Sequence, residues 1–163
     1  LPAANGGTGV TSYAPGKIGQ VIQKVITAGS VTHTTTAFIA TAWLVAITPS
    51  ATSSNIHLSF SVNQGCATAN RSPNFRIYRD IGGGGYSHLT NGVDGEPHDQ
   101  SGSYANVSGH FATNSCFQFY DDPATTSECT YKVYFKLSDT TGSCYAYAAA
   151  GLYGYATAME VLA

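Results

Sequence analysis

From Ile56 to Val62 every second residue is apolar, and the residues between them, His57, Ser59 and Ser61, are polar. Tyr131, Val133, Phe135 and Leu137 alternate in the same way with Lys132, Tyr134 and Lys136. A period of two lines one face of a β-strand and scatters the same residues around a helix, so these segments are strands with one face buried. Residues 75–81 follow the pattern, with Phe75 and Ile77 pointing inward, and so do residues 34–48, which end at Pro49 with Trp43, Val45 and Ile47 on one face. Residues 107–120, 143–149 and 155–162 supply further strands.

Residues 18–26 fit two templates. Ile18, Val21, Ile22, Val25 and Ile26 have helical spacing, yet all five are β-branched, which disfavours a helix, so a strand buried on both faces is expected. Helix formers are scarce throughout, whereas tyrosine occurs eleven times. About eight strands separated by turn signals predict an all-β fold: an antiparallel β-sandwich of jelly-roll type in one domain. With 163 residues and 43% hydrophobic residues the chain can fill a core.

Charge excludes several functions. Charged residues are 10% of the chain, none stands between Lys24 and Arg71, and a net charge of −2 gives no footprint for nucleic acid. No apolar run approaches the roughly 20 residues that cross a bilayer, so no membrane insertion is expected. The longest, residues 37–47, is too short and contains a threonine. The chain opens at Leu1 with no basic-plus-apolar leader, and is expected to be a piece of something longer.

Catalytic and metal patterns are weak. The four cysteines, Cys66, Cys116, Cys129 and Cys144, form no CxxC pair, so no structural zinc is expected. Two disulfides would suit an oxidising compartment, but four small buried thiols are the reading preferred here. Asp94, Glu96, His98 and Asp99 are close enough in sequence to hold a cation but lack a calcium-loop spacing, and are read as a solvated acidic loop. Gly82 to Gly85 precede no Lys-Ser/Thr and no helix, so they are not a phosphate loop. No GxSxG elbow occurs, and Asp121 and Asp122 before Pro123 read as the start of a turn. No catalytic residue, metal or cofactor is expected, and the chain is read as a non-enzyme.

Binding is better supported. Residues 82–105 form a long polar, Gly-rich segment, and such segments in compact domains are often functional. On or beside it lie Tyr86, His88, Asn91, Asp94, His98, Asp99, Tyr104 and His110. Aromatic faces stack on the C–H patches of sugars while amides and carboxylates take hydroxyls, so these are the candidate receptor-binding residues. Alternatively Tyr86 and Tyr104 merely pin the loop to the sandwich. Tyr145, Tyr147, Tyr153 and Tyr155, with Ala146, Ala148, Ala149 and Ala150, make a stripe too apolar for one free surface. That stripe is expected to lie partly between subunits; the alternative is that the tyrosines fill the chain's own core.

Leu1 to Gly9, LPAANGGTG, resembles the LPxANGGTG connector that precedes the terminal domain of bacteriophage tail-fibre proteins. Lys17-Ile18-Gly19-Gln20-Val21-Ile22-Gln23 resembles the opening strand of phage fibre head domains, Ile47-Thr48-Pro49-Ser50 with Thr52 to Ile56 their ITPSSTSSKI turn, Phe75 to Asp80 their xLxRDG strand, and Met159-Glu160-Val161 their MEI ending. Each match is short, Asn55 and Ile81 depart from the pattern, and the middle loops have no counterpart. The resemblance implies a Gly/Pro-rich connector at residues 1–16 and a head domain at residues 17–163. It further implies a virion component: a homotrimeric fibre tip, joined to the remainder of the shaft, that adheres to a host-surface glycan or protein. It carries over no binding residue. A secreted carbohydrate-binding module and a fibre-tip polysaccharide depolymerase are the alternatives. The module would show paired cysteines, and the depolymerase two carboxylates converging in a groove.

Overall fold

The computed structural model of the chain describes residues 17–90, 99–101 and 111–162. The connector, residues 1–16, lies outside the described residues. The described elements are all strands: β1 (Lys17–Ile26), β2 (Gly29–His33), β3 (Ile39–Ile47), β4 (Asn55–Cys66), β5 (Pro73–Ile81), β6 (Ser87–His88), β7 (Asp99–Ser101), β8 (Phe111–Asp121), β9 (Cys129–Leu137), β10 (Cys144–Ala148) and β11 (Gly154–Leu162).

They form two antiparallel sheets. In the first, β4 pairs β8 along one edge and both β11 and β10 along the other, while β1 and β2 extend β11 and β10 respectively. In the second, β9 lies between β3 and β5, and the far edge of β5 takes both β6 and β7. Three pairs, β1/β2, β6/β7 and β10/β11, are therefore the halves of single broken rows, and the described residues make eight rows, in line with the eight or so strands expected. Numbered along the chain, the first sheet holds the sixth, third, eighth and first rows, and the second holds the second, seventh, fourth and fifth. That alternation between sheets is jelly-roll topology.

The alternating residues meet between the sheets as their spacing requires. Trp43, Phe60, Phe75, Tyr131 and Phe135 are almost wholly buried. Phe117 stacks on both Phe60 and Phe75, each at 5.7 Å between ring centroids. Bulk in the middle is matched by small residues on the eighth row, where Ala146, Ala156 and Ala158 point inward. A polar tie crosses the same space. Asp121 of β8 accepts two hydrogen bonds from Arg79 Nη1, both at 2.8 Å, and one from the Tyr131 hydroxyl at 2.7 Å. Burial and the neighbouring Asp121 charge push the Tyr131 phenol up, so it stays a donor. Asp121 is thus a structural carboxylate rather than the start of a turn.

Two expectations are corrected. Residues 18–26 do form a strand, but not one buried on both faces: Ile18, Val21 and Val25 are 60%, 53% and 44% exposed. Both faces of this edge row stay open, since Ile22, opposite the inward Ala158, is 38% exposed as well, and a bulge between Ile18 and Val21 shifts the pairing with β11. One extra residue turns Ile18 and Val21 to the same side, and with Val25 they line up opposite Val161, Met159 and Tyr155 on the outer face. Gly19 sits in the bulge because a Cβ there would lie 2.7 Å from Glu160 Oε2. The cysteines are not four buried thiols either. Cys66 and Cys144, directly opposite in the β4–β10 pairing, form a disulfide across 78 residues of chain, while Cys116 is exposed and only Cys129 remains a buried thiol.

Glu160 holds the edge row in place. It is 1% exposed, and its carboxylate accepts the Ser50 amide at 2.6 Å, the Ser50 hydroxyl at 2.7 Å and the Gln20 amide at 3.0 Å. Burial alone would raise its pKa, but the hydrogen bonds from Ser50 and Gln20 outweigh burial and hold the carboxyl at about 2, below the ordinary 4.5. Because the folded value is the lower one, the stabilisation is complete above the ordinary value and is lost as pH falls from there towards 2. Glu160→Gln is therefore expected to lower the denaturation midpoint near neutral pH and to flatten the acid limb of stability. Parallel acid limbs for the two proteins would show that Glu160 does not carry it.

Candidate functional site

On β5 the inward Phe75 and Ile77 leave Arg76 and Tyr78 facing out, and on β9 the inward Tyr131 to Leu137 leave Lys132, Tyr134 and Lys136 facing out. Register then decides the neighbours. Arg76 stands opposite Tyr134 and Tyr78 opposite Lys132, so Tyr78 and Tyr134 are diagonal partners, with ring centroids 4.1 Å apart. This pair is the centre of an aromatic face on the outside of the second sheet.

Three more rings border it, two brought by the segment after β5 and one by the residue before β3. Tyr86 reaches Tyr134 at 6.0 Å, His88 meets Tyr78 edge-on at 6.0 Å, and Phe38 lies 6.4 Å from Tyr78. Tyr86 arrives through the turn after β5, where Gly82, Gly83 and Gly85 have φ values of 60°, 80° and 103° that only glycine adopts without strain. Asp80 fixes the turn by accepting the Gly85 amide at 3.1 Å. His88 follows because β6 pairs with β5, placing it opposite Tyr78.

Cations are seated among the rings. The Arg76 guanidinium is 4.2 Å and Lys136 Nζ 4.7 Å from the Phe38 centroid, and Lys132 Nζ is 5.7 Å from the Tyr86 centroid. Burial, then the Asp80 charge and Tyr134, pushes the Tyr86 phenol up; burial and Tyr78 do the same for Tyr134. Both hydroxyls are therefore protonated at neutral pH and can donate. The surface offers stacking planes, hydroxyl donors and cations side by side, which suits reversible recognition of a sugar.

Of the residues expected to bind, Tyr86 and His88 lie on this face. Asp99 is placed by its backbone, in β7 opposite Arg76. Asn91, Asp94, His98, Tyr104 and His110 lie outside the described residues. Sequence reading did not offer Phe38, Arg76, Tyr78, Lys132, Tyr134 or Lys136 as binding residues: Lys132, Tyr134 and Lys136 counted only as the polar half of an alternation, Arg76 and Tyr78 only as part of the strand over residues 75–81, and Phe38 only as part of the strand over residues 34–48. The signal was in the kind of polar residue: Lys, Tyr and Lys on β9 against His, Ser and Ser on β4. Among the described residues no three His, Cys, Asp or Glu side chains gather to hold a metal ion.

The residues expected at a subunit boundary lie on the opposite sheet. Tyr145 and Tyr147 point outward from β10 with centroids 5.5 Å apart, so they do not fill the core; Ala146 and Ala148 do. Tyr155 flanks the exposed apolar row of β1, opposite Val25. Tyr153 is exposed in the turn between β10 and β11, which Asn63 Nδ2 fixes by donating to the carbonyls of Leu152 and Tyr153.

No family model matches this chain, and no curated protein does. Among solved structures the fold is similar to a chain of the "Structure of infectious bursal disease virus Gt strain", with a TM-score of 0.45 and 10% identity. The likeness covers 88% of this chain and 38% of that one, so the chain spans well under half the length of this neighbour.

Proposed function

We propose that this chain is the receptor-binding head of a viral tail fibre of the phage type, a non-enzymatic adhesin carried on the outside of the virion. It holds a host-surface receptor, a glycan, on the outer face of its second sheet. The observation that carries the binding role is the close, tilted Tyr78–Tyr134 pair bordered by Tyr86, His88 and Phe38. The placement in a fibre rests on the LPAANGGTG, GKIGQVIQ and MEV segments, which occur in the order found in phage fibre heads. If the reading is right, purified head protein added before virions blocks adsorption to host cells. Undiminished adsorption at saturating head protein would overturn it.

A homotrimer completes the proposal. The outer face of the first sheet gathers Ile18, Val21, Val25 and Tyr155 into an apolar row at a sheet edge, where an uncovered surface invites association. Light scattering of the head is expected to give three times 17.0 kDa. Tyr153→Asp with Tyr155→Asp should bring that mass down to one chain, and an unchanged trimer would place the interface elsewhere.

One observation favours a second reading. The Cys66–Cys144 bond suits a secreted, monomeric carbohydrate-binding module. Such a module would scatter as a single chain even when extended at its N-terminus with shaft sequence, whereas a fibre head so extended would be a trimer.

A further inference from the structure

The last two rows of the first sheet break at the same level. β1 gives way to β2 between Ile26 and Gly29, and β10 gives way to β11 across residues 149–153. Beyond the breaks β2 and β10 form a two-stranded ribbon, paired from Gly29 with Ala148 to His33 with Cys144. This ribbon joins β4 through Cys144, Tyr145 and Ala146, whereas β11 joins β4 all the way from Tyr155 to Val161. Apart from His33, whose ring meets Phe135 edge-on at 5.7 Å, its inward residues are small: Gly29, Val31, Ala146 and Ala148. Little apolar surface therefore holds it down. The Cys66–Cys144 bond sits at the end of β10 away from the break, and both cysteines are 0% exposed. The ribbon thus has a hinge at one end and a covalent tie at the other.

The tied end of β2 leads directly to the aromatic face. His33 Nε2 donates to the Ala37 carbonyl at 2.5 Å, the Thr35 carbonyl accepts the Leu137 amide at 3.0 Å, and Phe38 follows at the border of Tyr78. Resting on the reading of that face as the receptor site, we infer that the Cys66–Cys144 bond is a redox clasp that regulates it. Oxidised, the clasp shuts the ribbon and fixes Phe38 beside the face. Reduced, the ribbon swings out on residues 27–28 and 149–153 and takes residues 34–38 with it, while the rest of the sandwich stays folded. The switching step is thiol–disulfide exchange with a dithiol. One thiolate of the dithiol attacks a sulfur of the bond, forming a mixed disulfide and freeing the other cysteine. The second thiol then displaces the remaining cysteine, leaving two protein thiols and the cyclic disulfide of the reductant, with two electrons and two protons passed to the protein. Because both cysteines are buried, a reductant reaches the bond only when the ribbon fluctuates, so the shut form is slow to reopen.

The test is amide hydrogen exchange by NMR on the intact chain, oxidised and after treatment with dithiothreitol. In the oxidised chain the hydrogen-bonded amides of β2 and β10 are expected to exchange within about tenfold of those of Leu58 to Val62, and in the reduced chain about a hundredfold faster than those. The Leu137 amide, held by Thr35, should follow the ribbon, while the amides of Tyr131 to Val133 follow the core. Cys66→Ala with Cys144→Ala should give the reduced pattern without reductant, and the pattern must appear in both proteins. Ribbon and core accelerating alike, or unfolding of the whole chain on reduction, overturns the inference and makes the bond a staple of the entire fold. An unchanged ribbon overturns it as well. Reduced head protein is further expected to block adsorption less than oxidised head protein, and equal blocking by the two forms overturns control of the face. The adhesin reading is judged separately, by whether oxidised head protein blocks at all: blocking together with a ribbon that stays shut on reduction sinks the clasp alone.

Discussion

Alanine at both Tyr78 and Tyr134 is expected to remove attachment to host cells while leaving the sandwich folded. The two rings lie 4.1 Å apart on the outer face, so their removal opens no cavity in the core. As a diagonal cross-strand pair they add about 0.2–1 kcal/mol to stability, a small part of what holds a domain. For binding the loss is larger. Aromatic anchors at the centre of a binding face commonly cost about 2 kcal/mol or more when truncated, so the double variant is expected to lose tenfold or more at one site. In a trimer the loss is repeated at each tip, and avidity multiplies it. Adsorption in competition with unmodified protein reads this directly. Tyr134→Phe, which keeps the ring, should hold most of the activity. Full attachment by the double alanine variant would move the binding site off this face.

Adding a single methyl group at Gly154 is expected to destabilise the fold nearly as much as truncating the largest core residue. A Cβ at Gly154 would stand 2.1 Å from Trp43 Nε1 and 2.5 Å from Cε2. The indole cannot simply yield, since it is 0% exposed and donates Nε1 to the Ser61 carbonyl at 2.7 Å. Trp43→Ala costs about 3–5 kcal/mol through the cavity it leaves, and also leaves that carbonyl without its donor. Gly154→Ala forces either the indole or β11 to move, and overpacking of this kind costs about 1–3 kcal/mol or more. Melting temperatures should fall by about 2–4 °C for each kcal/mol. The two positions should also be coupled, with Gly154→Ala costing less in a Trp43→Phe background, because the smaller ring leaves room. Additive effects would mean that β11 does not cross Trp43 at Gly154.

How much of this was legible in advance depends on the range of the interaction. The inward residues of β4, β5 and β9 were readable because a strand's period of two is local. Tyr86 and His88 were readable as candidates because a Gly-rich run interrupts the strand pattern just before them. The pairing of Tyr78 with Tyr134 was not, because it depends on the register of β5 against β9, a relation between residues far apart in sequence. Nor was Phe38 over Arg76, since nothing near residue 38 signals that it crosses two strands of another part of the chain. The error at β1 has the same origin: apolar content predicted burial, but the topology puts β1 at the edge of its sheet, where both of its faces stay exposed.

By itself the sequence determined that the chain makes alternating strands, that a jelly-roll sandwich could accommodate them, and which residues of β4, β5 and β9 turn inward. All of that follows from short-range sterics and from removing apolar surface from water. Only the tertiary structure decided which outward residues become neighbours: the cations with the rings on one sheet, the β-branched residues with Tyr155 on the other, and Cys66 with Cys144 rather than Cys116 or Cys129. Alternation says which way a side chain points, whereas register and topology say what it meets there.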